Sequence, residues 1–310
     1  MNVYYGLEGV SFKSPVITIG MFDGVHLGHR QIIDRTVEIA GKINGEPVVM
    51  SFEPHPRLFF DPQSERIKLL TSLDEKISLL ENYGISHFIL FPFTGEFAAL
   101  SSREFIERIL VKKIGIKHLV AGYNHHFGRN REGSFQDIID CAGKFGFGID
   151  KLEAFRHEGT EVSSSLIRHT IGNSGIETAN KYLGYCYRLS GTVVKGNNKG
   201  RLIGFPTANI EPADKRKLIP DNGVYAVKIN VGDKEYNGLL NTGTRPTINE
   251  TNTANIIEAH ILGFNGDIYG KGITITFLSK LRNEKKFGSL RELKLQIESD
   301  INRANADYFS

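Results

Sequence analysis

The stretch "GMFDGVHLGHR", residues 20–30, follows the apolar run at 15–19 and places three glycines, two histidines and one aspartate within eleven residues. An apolar run that passes through a glycine turn into a helical pattern reads as the opening of a parallel α/β sheet. The turn falls at the carboxyl end of its strand, where open α/β sheets bind ligands, and the helix start beyond it offers free N–H groups and a partial positive charge to an anion. Gly20, Gly24 and Gly28 let a phosphate approach the backbone. His26 and His29 are three apart, so their rings fall on one face and can meet neighbouring phosphate oxygens. By itself an H-x-x-H at a helix start is equally a pair of solvated surface histidines; the strand–turn–helix context favours the anion site.

The pattern around this stretch extends the reading. Apolar runs at 15–19, 47–52, 86–91 and 117–121 alternate with helical patterns near 27–43, 72–83, 101–114 and 134–145. Ser72 with Glu75 and Ser101 with Glu104 have capping-box spacing, and Ser134 with Asp137 is similar. After two short helical patterns within 163–184 the period changes to short strands between glycine turns, at 187–195, 205–210, 224–231, 235–241, 256–262 and 272–277. That second half predicts a small all-β barrel. Leu290, Leu293, Ile297 and Ile301 add an amphipathic C-terminal helix. The expected domains are therefore 1–184 and 185–310.

At 310 residues, 40% hydrophobic and 24% charged, the chain has the balance of a two-domain globular protein. The net charge of +3 divides unevenly: 20 Lys and Arg against 22 Asp and Glu in 1–184, 18 against 13 in 185–310. This is too weak and dispersed for a nucleic-acid partner, yet compatible with a phosphate-rich small ligand. The start carries no apolar signal segment and no run approaches the ~20 apolar residues of a membrane span, so the expected location is the cytoplasm. Cys141 and Cys186 have neither disulfide nor zinc spacing.

With these residues in place, the string G-x-F-D-G-x-H-x-G-H resembles the nucleotidyltransferase signature of bacterial FAD synthetases. "FEPHP" at 52–56, "GYNHHFGRNREG" at 122–133 and "SSSLIR" at 163–168 are similar to further motifs of that family, and together they span nearly the whole first half. The resemblance implies a Rossmann-like domain in which His26, His29, Ser163, Ser164, Ser165 and Arg168 hold ATP phosphates, with Gly20, Phe22, Asp23, Gly24 and Gly28 forming the turn beneath them. It also implies flavin contacts at Asn124, His125 and Phe127. The chain departs from the family at Ser165, where threonine is usual, and at His125, where phenylalanine is usual; a ring stacked at 125 would meet imidazole. The residues agree independently in part, since serines at a helix start supply donors and Arg168 shares a helical face with Ser165. Ser163 serves equally as a plain helix cap.

The second half carries "GTVVKGNNKGRLIGFPTANI", residues 191–210. If Phe205–Ile210 is extended, Thr207 and Asn209 share one face and present two hard oxygens, suited to magnesium on nucleotide phosphates, with the glycine-rich loop 196–204 over them. Proline-initiated edge strand is the plainer reading of the tetrapeptide. The segment looks like the PTAN motif of riboflavin kinases, and "NTGTRPT", "EAHIL" and "LRNEKKF" match later segments. That family assigns ATP contacts to Gly196, Lys199, Gly200, Arg201, Gly204 and Pro206, and metal ligation to Thr207 and Asn209. In "NIIEAHIL" alternation puts Ile257, Ala259 and Ile261 on one face and Glu258 on the other. Alone, Glu258 reads as a solvated carboxylate; the resemblance implies the general base for the riboflavin 5′-hydroxyl.

The combined expectation is a bifunctional transferase that uses Mg²⁺ and ATP to convert riboflavin to FMN and FMN to FAD. Two other classes stay in view: a nucleotidyltransferase for pantetheine phosphate or nicotinamide mononucleotide, which has no use for a PTAN half, and a flavin-binding regulator with a degenerate first domain.

Overall fold

The computed structural model describes residues 1–61, 68–123, 133–196, 200, 204–246 and 253–309, with the backbone alone at 244–246 and 253–255. The chain forms two compact units, Met1–Ile67 with Leu73–Ser164, and Lys68–Ser72 with Ser165–Ser310.

In the first unit β1 (Asn2–Tyr5), β2 (Val16–Ile19), β3 (Pro47–Glu53), β4 (His87–Pro92), β5 (His118–Gly122) and β6 (Gly148–Leu152) form one sheet. Its order is β1-β4-β3-β2-β5-β6, parallel throughout. The central strands are buried on both faces, which is why they read as continuous apolar runs. Helices α1 (Leu27–Lys42), α2 (Pro56–Phe60), α3 (Leu73–Asn82), α4 (Gly95–Ala98), α5 (Ser102–Phe105) and α6 (Phe135–Phe145) connect them. The capping boxes of Ser101 with Glu104 and Ser134 with Asp137 are formed. Beyond α5 the helix continues over Ile106–Ile114 in π geometry to a left-handed Gly115. Ile106, Leu110 and Ile114 face the core at a four-residue spacing that suits either helical form. Strands β1 and β6 and the hairpin β7 (Arg156–His157) with β8 (Thr160–Glu161) add to the expected set.

The second unit is a closed six-stranded antiparallel barrel. Its strands are β9 (Arg188–Val194), β10 (Ala208–Pro212), β11 (Gly223–Val231), β12 (Lys234–Pro246), β13 (Thr253–Ile261) and β14 (Gly272–Arg282), in the order β10-β13-β12-β11-β14-β9. Tyr187, Tyr225 and Phe277 are fully buried, and the two hydroxyls donate to the carbonyls of Leu218 and Asp221. The last helix, α9 (Leu290–Asp307), lays Ala304 and Ile301 over Val224, Ala226, Leu239 and Leu281. It is fastened by Arg282 to the buried Asp300 carboxylate at 2.9 and 3.1 Å.

Two segments join this unit that the periodicity assigns to the first half. Helix α7 (Ser164–Gly172) buries Ile167 and Ile171, and helix α8 (Ile176–Leu183) buries Ile176, Ala179 and Leu183. Asn180 bridges the barrel, donating to the Phe277 carbonyl at 2.9 Å and accepting from Tyr187 N–H at 2.8 Å. Glu177 accepts from Ser279 Oγ and the Lys280 amide, and Ser174 donates to Asp221 at 2.6 Å. Residues 68–72 are tied by backbone bonds from Leu69 N–H to Arg216 and from Leu218 N–H to Leu69, with the buried Lys217 ammonium donating to the Leu70 carbonyl. Short pieces bonded in this way pack with the barrel wherever they lie in the chain.

Candidate active sites

The sheet order changes direction beside β2, whose neighbours are β3 on one side and β5 on the other. Ligands of open α/β sheets bind at such a switch point, and the turn 20–26 emerges there. Its backbone is strained. Phe22 and Val25 have φ of 48° and 33°, and Gly24 has 83°. Left-handed backbone at a β-branched residue costs about 1–3 kcal/mol. It is sustained because Phe22 and Val25 are buried and Val25 N–H donates to the Phe22 carbonyl at 3.2 Å.

The turn delivers His26 as the cap of α1: its Nδ1 accepts from the His29 amide at 3.3 Å. The two imidazoles stack, with ring centres 3.7 Å apart and 19° between planes, and Phe22 packs against His29 at 5.1 Å. The expected shared face is thus observed, although His26 caps the helix rather than beginning it. Gly28 leaves the stack unstrained, since a Cβ there would lie 3.1 Å from Cε1 and 3.2 Å from Nδ1 of His26. Gly20 is held by its N–H to Met50 at 3.0 Å. Ser164 Oγ donates to the carbonyl of buried Asp23 at 2.8 Å, tying the serine segment to the turn. Ser163 lies beside it, half-buried. Ser165 and Arg168 belong to the second unit, where Arg168 Nε donates to the Lys68 carbonyl at 2.8 Å. Asn124, His125 and Phe127 lie outside the described residues.

The carboxyl ends of β3 and β4 carry an aromatic shelf that the sequence reading passed over. Phe93 meets Phe52, Phe59, Phe60 and Phe97 at 5.3–5.9 Å between ring centres. Phe60 is 69% exposed, an unusual degree for so large an apolar group. The signal in the sequence was the pair Phe59-Phe60, two residues after "FEPHP".

In the barrel unit the paired strand begins at Ala208, so Phe205–Thr207 lie outside its ladder. Pro206 has no N–H for the ladder, and Phe205 N–H instead closes a turn on the Gly200 carbonyl at 2.9 Å. Asn209 pairs directly with Glu258 on β13, and Glu258 in turn with Asn241 on β12. Cross-strand partners point to one side. Ile210, Ile257, Ala259 and Ile261 are buried within the barrel, so the row Asn209, Glu258, Asn241 faces outward and is half-buried. The alternation expected around Glu258 is present; Asn241 enters only through the register.

Two glycines close on this row. A Cβ at Gly196 would collide with the Asn209 carboxamide, and one at Gly200 with the Phe205 carbonyl, 3.3 Å from Thr207 Oγ1. Gly204, at φ 87°, and the exposed Pro206 complete the turn, while Lys199 and Arg201 lie outside the described residues. Among the described residues no group of three or more His, Cys, Asp or Glu could hold a metal. Two neutral oxygen donors in a glycine cradle fit a Mg²⁺ ion that takes its remaining ligands from phosphates and water.

Residues 10–166 match the family model for FAD synthetase, and residues 183–308 that for riboflavin kinase. The chain belongs to the bifunctional riboflavin kinase/FMN adenylyltransferase family. It is 38% identical over 305 residues to the bifunctional riboflavin kinase/FMN adenylyltransferase of Escherichia coli K12, covering 97% of this chain and 96% of that protein. The Haemophilus influenzae enzyme of the same name is 38% identical over the full length of both, and that of Bacillus subtilis 36% over 95% and 92%. A solved structure from Streptococcus pneumoniae, described as a macrolide-efflux protein, superposes with a TM-score of 0.90 at 28% identity over 98% of each chain. No helix among the described residues is long and apolar enough to cross a membrane. This family member is a transferase with two ATP-dependent activities, phosphorylation of riboflavin to FMN and adenylylation of FMN to FAD with release of pyrophosphate.

Proposed function

We propose that residues 1–184 carry the FMN adenylyltransferase and residues 185–310 the riboflavin kinase, acting in succession in the cytoplasm with Mg²⁺ as the metal of both steps. In the first domain the FMN phosphate attacks the α-phosphorus of ATP. That phosphate is already largely ionised above its second pKa of about 6 and needs no base. His26, His29 and the start of α1 donate to the charge that gathers on the α-phosphate as pyrophosphate leaves, with Ser163, Ser164, Ser165 and Arg168 on the remaining phosphates. The observation that carries this half is the stacked histidine pair at a helix N-terminus on the switch point of the sheet. The exposed Phe60 on its aromatic shelf gives the isoalloxazine ring an apolar seat in the same unit.

In the kinase domain Glu258 accepts the proton of the riboflavin 5′-hydroxyl as that oxygen attacks the γ-phosphorus and the bond to the bridging oxygen breaks, releasing ADP. An alcohol is neutral at physiological pH and gains from a base. Thr207 and Asn209 hold the metal, which when bound neutralises phosphate charge and orients the γ-phosphoryl group. Gly196, Lys199, Gly200, Arg201, Gly204 and Pro206 surround the phosphates. The direct pairing of Asn209 with Glu258 supports this half, because it sets the base one strand from a metal ligand. Incubation with riboflavin and Mg·ATP, with the flavins resolved chromatographically over time, tests the sequence of steps. FMN must rise before FAD; FAD formed without prior FMN, or no turnover of supplied FMN, refutes it.

A further inference from the structure

We infer that His260 is a positioning residue of the kinase, holding Thr207 in place where the β-ladder cannot; this rests on the reading of Thr207 as a metal ligand. Strand β10 pairs with β13 only at Ala208 with Ala259 and Asn209 with Glu258. Continued by one step, the ladder would set Thr207 opposite His260. It stops because Pro206 has no N–H to give. The His260 side chain takes over: Nδ1 lies 2.8 Å from the Pro206 carbonyl oxygen. A carbonyl only accepts, so Nδ1 carries the proton and donates. The same ring meets Phe205 edge-to-face, 5.3 Å between centres at 83°.

The turn that presents Thr207 is therefore closed at two points, by Phe205 N–H on the Gly200 carbonyl and by the His260 side chain on Pro206. His260 stands two residues from Glu258 on one strand, so both side chains leave the same face, about 7 Å apart along the strand. One strand thereby sets the spacing between the proposed base and the proposed metal ligand. His260 is only half-buried, and a hydrogen bond open to water adds little to global stability. Its consequence is local geometry.

The test uses the full-length enzyme with His260→Ala, His260→Asn and Thr207→Ala. Asn carries a side-chain N–H donor near the position of imidazole Nδ1, so it keeps the bond while losing the ring. His260→Ala is expected to raise the kinase KM for Mg·ATP about tenfold, the equivalent of one lost hydrogen bond with its ring contact, and to change kcat less. His260→Asn should recover most of that loss, and adenylylation of supplied FMN should stay at the wild-type rate. Amide hydrogen exchange without nucleotide reads the pin directly: residues 205–209 should exchange faster in His260→Ala while β11 and β14 keep their protection. Unchanged KM and exchange in His260→Ala, beside an impaired Thr207→Ala, overturn the positioning role alone. Unchanged kinase in both variants overturns the reading of Thr207 as well. Equal loss of both activities in His260→Ala means a general folding defect and also overturns it.

Discussion

Gly28→Ala adds one methyl group against the stacked histidines of the proposed adenylyltransferase site. The new Cβ would stand 3.1 Å from Cε1 and 3.2 Å from Nδ1 of His26, and 3.5 Å from the Phe155 Cβ on its other side. Contacts of 3.1–3.2 Å require a neighbour to yield by a few tenths of an ångström. The imidazole is the part able to move, but it is 5% exposed, stacked at 3.7 Å on His29 and bonded to the His29 amide. Alanine at a helical position gains about 0.5–1 kcal/mol over glycine, against about 1–3 kcal/mol for an extra carbon in a packed place. The net loss of stability should therefore lie between about 0 and 2.5 kcal/mol, a fall of at most several degrees in melting temperature. Activity responds more strongly, since about 1 Å of misplacement can cost about 10²-fold and a fraction of that about tenfold. The assay is FAD formation from FMN and ATP, with phosphorylation of riboflavin in the same preparation as internal control. An approximately tenfold loss of FAD formation with an intact kinase is expected. FAD formation within twofold of wild type, or an equal fall in both activities, refutes the argument.

Glu258→Gln should lower kinase turnover by about 10²–10⁴ while adenylylation of supplied FMN persists, and His29→Ala should do the reverse and let FMN accumulate; both are read by chromatography of the flavins. A fragment beginning at 185 loses the buried Ile176, Ala179 and Leu183 and the bonds of Asn180 and Glu177. By denaturant titration it should be less stable than 165–310 by about 3 kcal/mol or more; equal midpoints would show that α8 adds nothing to the barrel. The Ser174 hydroxyl holds the Asp221 carboxyl below its usual range, opposed by partial burial and aided by the Asn222 N–H and Lys280. A lowered carboxyl pKa contributes stability above the unfolded value of about 3.9 and loses it as pH falls through the folded one. Asp221→Asn should lower the melting temperature at pH 7, with the difference shrinking below about pH 4. A difference independent of pH excludes this ionisation as its source.

Local chemistry was legible in the order of residues. The strands at 16–19, 47–53, 87–92 and 118–122, the boxes at Ser101 and Ser134, the barrel strands and the C-terminal helix each follow from signals within a few residues. Strand β6 was missed because "GIDKL" has no apolar run, and β1 because its four residues lie at the sheet edge without alternation. The histidine pair was readable as a motif, but the stack, the left-handed Phe22 and Val25 and the close approach of His26 to Gly28 depend on packing around the turn. That the ladder holding Asn209 begins only at Ala208, and that the His260 side chain bonds the Pro206 carbonyl beside Thr207, depend on strand pairing.

By itself the sequence determined the α/β-then-β order, the two nucleotide motifs and the family, because periodicity, capping and glycine placement are properties of neighbouring residues. Only the tertiary structure decided that β5 returns beside β2 to create the switch point, that Asn209, Glu258 and Asn241 form one row, and that residues 68–72 and 165–183 pack with the barrel. These join positions from 17 residues apart, Asn241 with Glu258, to 147, Leu69 with Arg216. Such pairings form by satisfying buried backbone groups and apolar faces wherever the chain brings them together, and a short window of sequence contains only one of the two partners.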